Sequence, residues 1–338
     1  MRFCADDQRG LCVGDSVASA PASITVVRPG ALGDTLLTLP ALALLRHWAP
    51  DAQITLIARD DCRSLLFRAG CADAGWSWDL PDWSALFADP PAMPSPLAKA
   101  ALAEADLTIV WLADPTGAIA RSLSVLGARR SLVAAPLPPV EQRTHVALWL
   151  AQTLQPLGLP AVSLAELVTL AHTHIERVTV AAVEEPAIIA LHPGAGSPRK
   201  RWPTPRFAEL AQRARVAGYT PLLLCGPADE AAVAATQAAL RGRGGPVAQA
   251  NNFPLVALAK LLSRCAGFVG NDSGVSHLAG LVGVPTVALF GPTDPARWSP
   301  LGPRVQALRA PDAQLTSLSV DEVWQALGRA LAAHQAGG

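Results

Sequence analysis

No segment of this sequence strings together the roughly 18 apolar residues that a helix needs to cross a bilayer. A membrane-spanning helix is therefore not expected. Residues 1–23 carry Asp6, Asp7, Arg9 and Asp15 and lack the unbroken apolar stretch of a secretory signal, so the expected location is cytoplasmic. No CxxC pair occurs among the six cysteines (Cys4, Cys12, Cys62, Cys71, Cys225, Cys265), which argues against a zinc cage or a disulfide framework and for reduced thiols. Neither charge dominates: Lys plus Arg and Asp plus Glu both number 27, no basic run stands out, and nucleic acid is not an expected partner. Lysine itself is scarce, with only three (Lys99, Lys200 and Lys260) in the chain.

Apolar material is plentiful. Hydrophobic residues make up 51% of the sequence and charged ones 16%, the balance of a compact globular protein. A length of 338 residues exceeds the usual size of one hydrophobic core and favours two domains. Short apolar runs at 24–27, 54–57 and 107–111 alternate with helical patterns such as 35–48, the order of a parallel β/α domain. The rhythm recurs with strands at 188–191, 222–225, 268–270 and 286–290 and helices at 205–216, 230–240, 255–265 and 275–282. The proline-rich stretch 81–96 reads as an irregular loop. Residues 320–334 space Val320, Val323, Trp324, Leu327 and Leu331 as one apolar helical face.

In open parallel sheets ligands bind beyond the carboxyl ends of the strands, so the loops there hold the candidate chemistry. The first, Arg28-Pro29-Gly30-Ala31-Leu32-Gly33-Asp34, sets a carboxylate at the mouth of a helix. Asp34 there is suited to capping and also to taking a proton from an attacking hydroxyl; the two roles are compatible if capping leaves one oxygen free. The second, 192–203, combines Gly194, Ala195 and Gly196, whose amides can approach an anion, with Arg199, Lys200 and Arg201. Its alternative is a solvated basic turn, and His192 by itself reads as a structural histidine. The third, 270–280, runs from a strand end into a helix through Asp272, Ser273 and Gly274, an anion cradle built on first-turn amides. Asp272 and Ser273 are equally apt as caps, and His277 as a buried helix residue. The fourth, 226–230, offers Asp229 and Glu230 to ribose hydroxyls or to a helix N-terminus.

Together these stretches, with Lys200-Arg201-Trp202-Pro203 and Leu289-Phe290-Gly291-Pro292-Thr293-Asp294-Pro295, resemble the heptosyltransferase family of inverting GT-B glycosyltransferases. The resemblance implies an α/β protein with two facing Rossmann-like, doubly wound domains of parallel sheets. It implies an extension at 1–23, disordered or a misassigned start, and an acceptor-binding domain at 24–170. A linker would follow at 171–187, a nucleotide-sugar domain at 188–318, and a helix at 319–338 crossing back to the first domain. It implies Asp34 as catalytic base and Gly194, Ala195, Gly196, Lys200, Ser273 and Gly274 on the donor phosphates. Asp272, His277, Glu230 and Phe253 would contact the donor sugar or nucleoside, although Phe253 is equally suited to a core. No metal or cofactor is expected. The donor would be a nucleotide diphosphate sugar such as ADP-heptose. The acceptor would be a lipopolysaccharide core or related glycan, with peripheral contact to the inner membrane surface through a lipid-linked acceptor. The rivals are a GT-B transferase or epimerase using another nucleotide sugar, and a two-domain binding protein without chemistry.

Overall fold

The computed structural model describes residues 20–88, 93–179 and 187–335. Five parallel strands form the first sheet: β1 (Ser23–Val27), β2 (Gln53–Ala58), β3 (Ala74–Ser77), β4 (Leu107–Trp111) and β5 (Ser131–Ala134), in the order β3-β2-β1-β4-β5. Its helices are α1 (Leu32–Leu36), α2 (Leu39–Trp48), α3 (Asp60–Arg68), α4 (Pro96–Ala103), α5 (Ala118–Leu126), α6 (Val146–Gln152) and α7 (Leu164–Ile175). Six parallel strands form the second sheet: β6 (Ile188–His192), β7 (Thr220–Cys225), β8 (Ala248–Asn251), β9 (Gly267–Asn271), β10 (Thr286–Phe290) and β11 (Val305–Arg309), in the order β11-β10-β9-β6-β7-β8. Around it lie α8 (Thr204–Val216), α9 (Glu230–Leu240), α10 (Leu255–Leu262), α11 (Gly274–Leu281), α12 (Pro295–Trp298) and α13 (Val320–Gln335).

Strands covered by helices on both faces need apolar residues at every position, and β4, β9 and β10 are buried throughout. At the edge, β8 reads Ala-Gln-Ala-Asn and is largely exposed, which is why its sequence gives no strand signal. The chain reverses its direction of winding between β1 and β4 in one sheet and between β6 and β9 in the other. Those two switch points open the crevices in which ligands of such sheets bind. The loop after β1 leads into the first turn of α1, which carries Asp34; the loops after β6 and β9 carry the other two glycine-containing stretches.

The halves are joined by one apolar cluster that runs from Ile24, Val26 and Leu56 to Phe268, Leu278 and Leu301. Polar bonds add to it. Arg143 meets Asp294 at 3.0 Å and 3.2 Å through two nitrogens, His145 Nε2 lies 2.9 Å from the Ser299 carbonyl oxygen, and His172 Nδ1 lies 3.0 Å from that of Leu281. Arg297 donates to the carbonyl oxygens of Pro138, Pro139, Val140 and Gln142 across the same seam.

Several expectations need correction. The helix expected over 35–48 is two helices, because Pro40 has no N–H to give to the Leu36 carbonyl and its ring would clash there. Residues Pro81–Phe87 of the supposed irregular loop form a 3-10 helix, with the Trp83 indole N–H bonded to the Ser77 carbonyl; 89–92 lie outside the described residues. The linker does not begin at 171, since α7 continues through Ile175 behind a Ser163–Glu166 capping box. The rest of that linker, at 180–186, lies outside the described residues, as do 1–19 of the extension, while Ser23 already opens β1. Through residue 335 the final helix packs on the second half, and 336–338 lie outside the described residues. α13 packs on β9, β10, β11 and α8, because Val320, Val323, Ala326 and Leu327 complete the apolar cluster around Trp202 and Phe207.

Candidate functional site

Asp34 is the third residue of α1, not its cap. Its Oδ2 accepts the Ala31 N–H at 3.1 Å, and Oδ1 faces the Arg28 guanidinium at 3.7 Å, so one oxygen is engaged by an amide and the other only by a charge. Arg28 is buried, which lowers its affinity for a proton while the Asp34 charge raises it, and its Nε bonds the Thr38 hydroxyl at 3.3 Å. Thr38 in turn donates to the Asp34 carbonyl, so the first turn of the helix is tied to the loop that precedes it. Close packing explains Gly30, where an added Cβ would lie 2.5 Å from that of Asp34.

Across the cleft, α1 rests on α11. A Cβ on Gly33 would stand 3.1 Å from His277 Cδ2, and one on Gly274 would stand 2.6 Å from Leu32 Cγ. Two glycines thus let α1 and α11 touch almost backbone to backbone. α11 opens at Ser273, whose hydroxyl makes no capping bond and is turned instead towards His192 Nδ1, at 3.2 Å. His192 is buried at the end of β6, and its Nε2 lies 2.9 Å from Asp229 Oδ2. Burial alone would raise the Asp229 carboxyl; the hydrogen bond and charge of His192, the Gly226 N–H and the Arg201 charge together hold it below the ordinary range. Asp229 also explains Gly194, because any Cβ there would overlap the carboxylate at 1.8 Å.

Lys200 ends a short 3-10 turn, and its Nζ lies 2.7 Å from Asp272 Oδ2, an oxygen that also accepts the Thr293 hydroxyl at 2.7 Å. The basic stretch is therefore not a solvated turn at Lys200. Buried Asn271 staples the two loops: its Nδ2 donates to the Pro193 and Gly194 carbonyls at 2.9 Å and 3.1 Å, and its Oδ1 accepts the Trp202 N–H at 2.9 Å. The Arg201 side chain closes on the Ala195 carbonyl at 3.1 Å, while Gly196 faces open space.

One switch point thus carries a carboxylate, Asp34, and the other carries Lys200 beside a helix N-terminus at Ser273. The family profile of glycosyltransferase family 9 (heptosyltransferase) matches residues 117–324. The chain belongs to glycosyltransferase family 9. It is 34% identical over 143 residues to lipooligosaccharide heptosyltransferase 2 of Haemophilus influenzae, a stretch that covers 41% of each protein. The aligned part thus spans about two fifths of that relative. In fold the chain is similar to the Escherichia coli ADP-heptose LPS heptosyltransferase II (TM-score 0.68, 22% identity, 93% of this chain and 99% of that one). It is likewise similar to the Escherichia coli heptosyltransferase WaaC with ADP (TM-score 0.69, 17% identity, 91% and 99%).

The remaining sites expected of a family 9 protein are less tightly grouped. Glu230 begins α9 and lines a cavity of about 610 Å³ with Asn251, Asn252 and Gln249. Phe253 is 46% exposed, which removes it from the core, and it does not line that cavity. His277 is buried, its Nδ1 has no hydrogen-bond partner, and burial pushes its imidazole down to about 4 against the pull of Asp272. No group of three or more His, Cys, Asp or Glu side chains that could hold a metal comes together among the described residues, and no helix there is long and apolar enough to cross a membrane. Asn271 and Thr293 lay in the motifs but were not read as site residues, and Asp229, offered to ribose hydroxyls or to a helix N-terminus, is instead bonded to His192. The partners of Asp229, Asn271 and Thr293 are 37, 69 and 21 positions away, respectively, beyond the reach of local pattern.

Proposed function

We propose that this family 9 protein is an inverting glycosyltransferase that moves a heptose from ADP-heptose to a hydroxyl of a lipopolysaccharide core or related glycan. The observation that carries the reading is the seating of α1 on α11, which sets Asp34 beside the cradle at Ser273. In this reading Asp34 accepts the acceptor's proton as the oxygen attacks the anomeric carbon, and the sugar's bond to the diphosphate breaks on the opposite face. Asp34 has the form of a usable base: one oxygen is committed to Ala31, the other is free of amide donors, and the side chain is partly exposed.

The departing diphosphate takes the bonding electrons and is met by Lys200, by the amides of Gly194 to Gly196 and by the first turn of α11 with its positive dipole end. The protein, not a divalent ion, carries this charge. Glu230 and the adjoining cavity serve the ribose and base, and the first sheet's half binds the acceptor, at a cytoplasmic site next to the membrane surface where a lipid-linked glycan would be presented.

Titration calorimetry with ADP, UDP and GDP, with and without EDTA, tests the donor. Tightest binding of ADP, unchanged by the chelator, is expected. Preference for UDP or GDP would move the function to another nucleotide sugar, and failure of all three to bind would refute the transferase reading. Product analysis by NMR after transfer to a heptose-deficient core glycan would check inversion at the anomeric centre.

A further inference from the structure

Ser273, His192 and Asp229 form a chain of three side chains that ends at the cradle, and the donor reading above does not account for its inner members. Ser273 Oγ lies 3.2 Å from His192 Nδ1 and 3.4 Å from Ser276 Oγ, and His192 Nε2 lies 2.9 Å from Asp229 Oδ2. Ser276 donates its own proton to the Asn271 carbonyl at 2.5 Å, so towards Ser273 it can only accept. Asp229 accepts the Gly226 N–H as well, and its depressed carboxyl keeps it ionised, so the proton on the Asp229 side of the ring belongs to His192 Nε2.

These partners leave two arrangements. With a neutral ring, Nδ1 is an acceptor, and the Ser273 proton is drawn inward to it or to Ser276. The hydroxyl then offers only lone pairs to the cleft, which an anion repels. With a charged ring, Nδ1–H donates to Ser273 Oγ, and the hydroxyl proton is free to donate to a phosphate oxygen. An anionic guest beside the N-terminus of α11 favours the charged ring over the neutral one.

We propose that His192 and Asp229 are a positioning pair that sets the direction of the Ser273 hydroxyl, so that a nucleoside diphosphate binds with uptake of a proton by His192. The proposal rests on the donor-phosphate reading of the cradle. The charged or titratable groups around the pair are Asp229 at the start of α9, Arg201 and Lys200 on the loop after β6, Cys225 at the end of β7, Asp272 and His277 beside α11, and Glu230 on α9. Burial and acidic neighbours raise the Cys225 thiol and burial holds the His277 imidazole down to about 4, while His192 is the titratable ring bonded to the Ser273 hydroxyl.

ADP-ribose is the suitable probe, because a diphosphate diester has no ionisation of its own near neutrality. Calorimetry at pH 7.5 in two buffers of different ionisation enthalpy is expected to show proton uptake approaching one per ADP-ribose bound, and none for adenosine. Affinity for ADP-ribose is expected to weaken by up to about tenfold per pH unit as pH rises. His192→Asn places an amide that can donate where Nδ1 sits; it is expected to bind ADP-ribose with no proton uptake and a flat pH profile. Asp229→Asn and Ser273→Ala are expected to lose the uptake as well, with folding checked by near-UV circular dichroism. Binding without proton uptake by the unaltered protein, or uptake that persists in His192→Asn, would overturn the pair's role alone. If neither ADP nor ADP-ribose binds, the donor reading falls and this one with it.

Discussion

In the proposed reaction Asp34 and Lys200 are the two side chains whose removal is expected to separate chemistry from binding. Asp34→Asn keeps an acceptor for the Ala31 N–H but removes the base, so turnover is expected to fall by about 10²- to 10⁴-fold while ADP affinity is unchanged, read by a transfer assay beside calorimetry. Lys200→Ala is expected to weaken ADP by roughly tenfold or more, the order of one charge-assisted hydrogen bond, with adenosine binding unaltered; equal losses would point to damage to the fold. The buried histidines set the response to acid. Burial lowers His145, His174 and His277, the last to about 4, whereas in the unfolded chain they take a proton near 6.5. Between those limits the unfolded state binds more protons, so stability is full above about 6.5 and declines as pH falls towards 4. A melting temperature that drops between pH 7 and pH 5, and drops less in His277→Asn, is the expected result.

The contact of α1 with α11 depends on two glycines, Gly33 and Gly274, that make room for His277 and Leu32. Gly274→Ala would press a methyl group into Leu32, and a cost of about 1–3 kcal/mol in chemical denaturation is expected, together with reduced turnover because Asp34 rides on the displaced helix. The sequence carries the signals for most of these elements: β4, β9 and β10 as unbroken apolar runs, the α11 N-terminus as small polar residues after a strand. It was misleading where one residue overrides a period, as Pro40 does in splitting the first helical segment. α7 was legible and overlooked, since Ser163 and Glu166 have the spacing of a capping box. The His192–Asp229 bond and the Asn271 staple were not legible, because each joins loops whose adjacency depends on the strand order of the whole sheet. The same limit hid the docking of α13: its apolar stripe announces a helix but is silent on which half supplies the facing groove.

At the scale of the molecule, the two halves meet through a shared apolar cluster and a row of polar bonds centred on Arg297 and Asp294. The Arg143–Asp294 pair is exposed on the arginine side, so Arg143→Ala is expected to leave the melting temperature nearly unchanged. Arg297→Ala removes four donated bonds at once, and faster hydrogen exchange in 138–142 with weakened transfer activity is expected by mass spectrometry and assay. Among the described residues the four bonds that guanidinium donates go to main-chain oxygens, and Val140 beside it is 86% exposed. The joint is therefore lopsided in its tolerance to change. On one side of the seam residues 138–142 can exchange side chains so long as their path is kept, and on the other the grip on that path depends on one arginine codon.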